Sequence, residues 1–215
     1  LDNIVIMSDI HSKIIAAAAK EELAAIGFQR QGRSRLWIAD RGFWLNVVEF
    51  TPDRWTKGVT LTNAAHWLWA GAGFMSFNEC LRSGGHAEFE TEEQFCDAMK
   101  GIAQTAAASA REIEERFFSF EAIAGFCVEQ AKSSPDRMGP SWWGYEAGLS
   151  SGLIGNFDDA AYFLESVTDD RVTAKAAVFL ALVSQPEAFR RKANDVVAQQ
   201  RAVLKLKPLA DPSFQ

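Results

Sequence analysis

The sequence predicts an α+β protein: an antiparallel β-meander covered by helices, followed by an all-helical C-terminal half. Three observations carry this. Between Gly27 and Trp69, runs rich in β-branched and aromatic residues are separated by turn signals at Ala39-Asp40-Arg41-Gly42 and Thr51-Pro52-Asp53. Apolar residues at helical spacing flank that stretch, as Ile15, Ala19, Leu23 and Ile26 before it and from Phe95 to Phe117 after it. After Phe120 the β signal disappears and only helical periods remain.

The first helix is expected from Asp9 to Ile26, capped by Ser8 or Asp9, with Gly27 at the left-handed C′ position and Phe28 folding back toward Leu23. In RLWIADRGFWLNVVEF two strands pair antiparallel around Ala39-Asp40-Arg41-Gly42. Thr51-Pro52-Asp53 reads as a loop, because proline cannot donate to a central ladder, and a third strand runs from Gly58 to about Trp67. His86 to Glu90 forms a short fourth strand. Thr91 to Gln94 is a T-x-x-Q capping box opening a long helix whose stripe, Phe95, Met99, Ile102, Ala106, Ala110, Ile113 and Phe117, covers one sheet face.

A helix from Phe120 to Lys132 ends in SSPDRMGP, a hinge or loop by composition. Trp142 to Ile154 and Phe157 to Val167 form an antiparallel pair turned at Gly155-Asn156, with Asn156 as N-cap. A second pair follows: a stripe of Val172, Ala176, Phe179 and Val183, then a capping box of Ser184 and Glu187 opening a helix to about Lys207. The expected organisation is an α+β domain over 7–118 and a helical extension over 119–207. Met7 opens MSDIHSK, so 1–6, like 208–215, are assigned to disordered tails.

The meander holds five of the seven tryptophans, a density that marks either a sheet core or a recognition surface. With 215 residues, 48% hydrophobic and 23% charged, the chain can bury a sizeable core. A net charge of -6 disfavours broad attraction to nucleic acid or anionic membrane. Cys80, Cys96 and Cys127 are odd in number and lack CxxC spacing, which points to a reducing cytoplasm rather than a disulfide framework. No segment reaches the ~18 apolar residues of a membrane span.

Two resemblances follow from these residues. The segment GLIGNFDDAAYFLESV resembles the turn and second helix of a tetratricopeptide-type repeat, with Gly148 where such repeats place a small residue. It covers about one repeat, so a generic helical hairpin is the simpler reading. Ile26-Gly27-Phe28, the basic GFQRQGRSRLW, FWLNVVEF, and Phe50 through Trp55 followed by Val59-Thr60-Leu61-Thr62-Asn63 resemble DUF4304-like domains over residues 13–117. The departures are Pro52-Asp53 before Arg54-Trp55 and Ala64 after Asn63. The resemblance implies a fold and a bacterial origin; the family carries no established chemistry.

Chemistry-bearing candidates are few. Cys80, His86 and His66 lie around the sheet, but isolated ligands without close pairing do not predict a metal, and none is expected. His11, placed in a first helical turn, is expected in solvent. There is no G-x-S-x-G elbow, P-loop or dinucleotide fingerprint, so no catalytic residue or cofactor is assigned. Glu88, Glu90, Glu92 and Glu93 suit a solvated helix start. Arg30, Arg33, Arg35 and Arg41 interleave with Trp37 and Trp44 as nucleic-acid contacts would, yet the acidic chain argues against that partner, as it does for the basic run from Arg190 to Lys207.

The expected function is a non-catalytic protein-interaction module that binds an unidentified protein partner. The alternative is a small-molecule-binding protein or hydrolase with a pocket between sheet and helices. The expected binding site gathers Arg54, Trp55, Asn63 and His66 near the sheet edge, with Asn63 and Ala65 on one strand face and His66 on the other.

Overall fold

The computed structural model describes residues 2–53, 56–81, 85–133 and 142–209, with side chains from residue 10 onward. Arg54, Trp55, the 134–140 hinge segment and the tail from 210 lie outside the described residues. The chain divides into two compact units: Leu1–Trp67 with Ser76–Glu115, and Leu68–Met75 with Arg116–Gln215. The second unit therefore claims residues 68–75, which sequence reading left with the sheet. The α+β class holds, with the strands in the first unit and most of the helices in the second.

In the first unit, helix α1 spans Asp2–Leu23, so it starts before the expected cap at Ser8 or Asp9 and includes residues assigned to a tail. Neither glycine nor proline interrupts residues 2 to 9, so nothing there stops a helix. A single 3-10 turn, Ala24–Ile26, precedes Gly27, whose φ of 87° lets the Phe28 amide reach the Leu23 carbonyl at 3.1 Å. Strands β1 (Gln29–Arg30), β2 (Leu36–Asp40), β3 (Trp44–Pro52), β4 (Gly58–Trp67), β5 (Glu79–Leu81) and β6 (His86–Glu88) make one antiparallel sheet in the order β1-β2-β3-β4-β5. β6 also pairs with β4, beside Gly58–Thr60, whereas β5 pairs beside Asn63–Ala65.

Pro52 corrects one expectation. It closes β3, paired with Val59, rather than forming a loop; at the last ladder position its missing N–H costs little. The turn between β2 and β3 is as read: Gly42 takes φ 82° and donates its amide to the Asp40 carboxylate at 3.0 Å.

Helix α2 (Glu92–Arg116) opens on the expected cap, with the Gln94 amide donating to Thr91 Oγ1 at 3.2 Å, although the Gln94 side chain reaches Glu90 N rather than Thr91 N. Phe95, Met99, Ile102, Ala106 and Ala110 join Ile15 and Leu23 of α1 and Trp37, Val48, Phe50, Val59 and Leu61 of the sheet in one apolar core. Trp37, Trp44, Trp67 and Trp69 are all buried, which places these four in the interior. His11 is also a correction: it is 8% exposed, stacked on Phe95 with ring centroids 4.6 Å apart, because the earlier helix start moves it mid-helix onto the core-facing side.

The second unit is helical: α3 (Phe120–Ser133), α4 (Trp142–Leu153), α5 (Phe157–Glu165), α6 (Thr173–Leu180) and α7 (Pro186–Val203). α4 is its axis, buried from Gly144 to Leu153. A Cβ on Gly148 would lie 2.6 Å from Leu164 Cγ, and one on Gly152 would lie 2.4 Å from Phe189 Cζ, so these glycines set how closely α5 and α7 approach. Asn156 caps α5 as expected, accepting the Asp159 amide at 3.3 Å. α7 departs from expectation: its N-cap is Gln185, with no side-chain cap bond, because Pro186 at the first helical position supplies the fixed φ that starts the helix. It ends at Val203, short of Lys207, where the Leu206 amide donates back to Arg201 O at 2.9 Å.

Candidate functional site

Of the four residues expected to form a site, Arg54 and Trp55 lie outside the described residues. Asn63 and His66 are both fully buried on β4 but project from opposite faces, as their spacing in a strand dictates. The Asn63 Nδ2 donates to the Ala106 carbonyl at 2.9 Å, tying the strand to α2. On the other side, His66 Nδ1 lies 3.0 Å from Ser76 Oγ and accepts the Ser76 amide at 3.3 Å. The structure therefore does not bring Asn63 and His66 together.

Ser76 beside His66 has the form of a nucleophile and base. Burial lowers the imidazole pKa to about 4, which makes His66 a weak base at neutral pH. The neighbouring Asn78 uses its Oδ1 to accept the Trp67 backbone amide at 2.8 Å, while its own backbone N–H donates to Ala65 O at 2.9 Å. Ser76 and Asn78 thus fasten the chain entering β5 to the end of β4.

The other candidates resolve similarly. His86 sits 3.3 Å from Asp53 on the β6 edge, at the far end of β4 from Cys80. Among the described residues, no group of three or more His, Cys, Asp and Glu side chains is placed to hold a metal ion. The Arg41 guanidinium donates from Nε to Glu114 at 2.9 Å, Arg30 closes its own loop through Ser34 O, and Arg35 reaches His11 and Ser12. These arginines are committed to the fold. Cys127 is fully buried beside Glu146 on α4, and burial first, then that carboxylate, push its thiol well above the usual range, which suppresses the nucleophilic thiolate.

The second unit holds a cavity of about 460 Å³, within the ~300–1,000 Å³ typical of ligand pockets. Its wall begins with the turn after Leu68, Trp69 and Ala70, all fully buried, with Trp69 edge-on to Phe120 at 5.7 Å. Gly71 follows with φ 63°, and a Cβ there would fall 2.6 Å from Val196 Cγ1 of α7. Both the left-handed backbone and the approach of α7 require glycine. Gln200 fixes the next residues, accepting the Gly73 amide at 2.8 Å and donating to Phe74 O at 2.9 Å.

α6 supplies Lys175, Val178 and Phe179, α7 supplies Lys192, Val196 and Val203, and α4 adds the fully buried Tyr145. Phe179 is fixed between Tyr145 and Phe189, with centroids 6.5 and 5.0 Å away. The Tyr145 phenol is pushed up by burial and then by Glu146, so it stays protonated. Lys175 donates to Gly71 O at 2.5 Å and lies 5.4 Å from the Trp142 ring centroid, and burial lowers its pKa. Among the described residues, none that lines the cavity is acidic.

Sequence reading missed this cavity because Gly71 stands more than a hundred residues before Lys175 and Gln200, and the three form no local motif. The available signal was Lys175 itself, the one charged residue in the apolar helix TAKAAVFL. No protein-family model matches the chain, and no curated protein and no solved structure matches it at a significant level.

Proposed function

We propose that the protein is a non-catalytic interaction module that receives a segment of a partner protein at the cavity of its helical unit. The observation that carries this reading is the cavity's apolar rim. Val178 and Val203 are 45% and 49% exposed, and Phe74, next to the lining Gly73, is 61% exposed. A ligand confined to the cavity leaves Phe74 uncovered, whereas a polypeptide crossing the rim buries it together with the valines. The resemblance of residues 13–117 to DUF4304-like domains belongs to this proposal, as does a cytoplasmic setting, which three cysteine thiols without a disulfide support.

Capture of partners by the tagged full chain, compared with a Val178→Asn/Val203→Asn variant of equal melting temperature, tests the reading. The expected result is a stoichiometric protein partner lost from the variant. Equal capture by both chains removes the cavity from the interaction. A second reading, a small-molecule-binding protein, is favoured by the cavity's volume and is distinguished by a co-purifying small molecule in place of a protein.

A further inference from the structure

We infer that the cavity selects an acidic, aliphatic peptide segment, placing an aspartate or glutamate carboxylate at Lys175 and Lys192 and an aliphatic side chain against Val178, Val196 and Val203. This deepens the proposed function and rests on its reading of the cavity as a partner site. Two cations face one cavity from different helices, α6 and α7, and no carboxylate among the described residues pairs with either. Lys175 spends one of its three ammonium protons on Gly71 O, leaving two to donate. Lys192 makes no hydrogen bond or ion pair with the described residues, so its charge is available in full.

Charge complementarity points the same way. The chain carries a net charge of -6, yet the described residues of this lining include two lysines and no acid. The partly buried Lys175 ammonium, whose pKa burial lowers, regains favourable surroundings when an anion arrives with the ligand. The valines then require the anion to be carried on an aliphatic body. A backbone flanked by Leu, Ile or Val and Asp or Glu has both parts, and as an extended chain it can continue past the lining Gly73 toward the exposed Phe74.

The test is a random dodecapeptide library displayed on phage and panned against the full chain, with the Val178→Asn/Val203→Asn variant as background. Enriched sequences are expected to place Asp or Glu beside Leu, Ile or Val. A synthetic peptide of the enriched sequence should bind at least tenfold more weakly to Lys192→Met, which loses no internal bond, and to Lys175→Met/Lys192→Met, and should weaken as salt rises. Neutral or basic sequences that still require Val178 overturn the acidic selectivity while keeping the partner site. Absence of enrichment above the valine-variant background overturns both. Lysine-dependent binding of decanoate without any enriched peptide assigns the cavity to a free organic acid and overturns the peptide inference.

Discussion

Asn46 and Asn63, diagonal neighbours on β3 and β4, donate their side-chain amides to carbonyls one turn apart on α2, Ala110 at 2.8 Å and Ala106 at 2.9 Å. Both are fully buried within an otherwise apolar sheet face. They fix the height of α2 along the strands, a register that the alanine stripe alone leaves free to slide. Each substitution to alanine should destabilise the first unit by about 1–3 kcal/mol, since a buried hydrogen bond is lost and a small void is left. Chemical denaturation of both single variants and the double variant checks this. Because the two bonds hold one helix, the double variant should lose less than the two singles added, and strict additivity would show that they act independently.

Ile102 lies in the α2 stripe at 7% exposure, in the same core as Leu61 and Phe50. Ile102→Asp places an unpaired carboxylate there and should cost at least about 3 kcal/mol. A thermal melt at equal concentration gives the answer, and an unchanged midpoint would place this position in solvent.

Gly152 illustrates packing overriding helix propensity. Alanine in a helix interior is favoured over glycine by about 1 kcal/mol, but here its Cβ meets the Phe189 ring at 2.4 Å. Overpacking of about 1–3 kcal/mol should exceed the gain, so Gly152→Ala lowers stability. Phe189→Leu, which withdraws the ring, should make the second substitution much better tolerated than it is in the wild-type background.

His66 makes stability depend on pH. Its folded pKa of about 4 lies below the ordinary 6.5, so the unfolded chain takes up the proton first as pH falls. Its contribution is fully present above pH 6.5, declines below that value, and is lost as pH passes through about 4; the total is about 3 kcal/mol. His11 is shifted in the same direction by burial, then by Arg35, so wild type must be compared with His66→Gln rather than read alone. Urea denaturation from pH 7 to 4 should show a steeper loss for wild type than for the variant. Parallel curves would mean that the ring is solvated.

Much of the fold was legible where a single period dominates. β4 emerged at Gly58–Trp67 because β-favouring residues fill it and Gly58 follows a turn segment, and the α2 stripe because its apolar residues keep helical spacing from Phe95 onward. Pro52 misled because its cost depends on ladder position, which the sequence does not state. His11 misled because α1 extends back to Asp2, which moves the residue from the expected first turn into the helix interior. In the expected site, the separation of Asn63 from His66 onto two faces was readable from strand geometry. The cavity was not, since Gly71, Lys175, Lys192 and Val203 share a wall only once the helices have packed.

The most direct measurement replaces Val178 with a photoreactive benzoyl-phenylalanine in the full chain and irradiates it in cells of the source organism, with the same residue at the exposed Glu129 of α3 as control. A single protein adduct at 178, absent at 129 and diminished by Lys192→Met, is the expected result. The same adducts at both positions, or none at 178 while the control position captures a partner, would contradict a partner site in the helical unit's cavity.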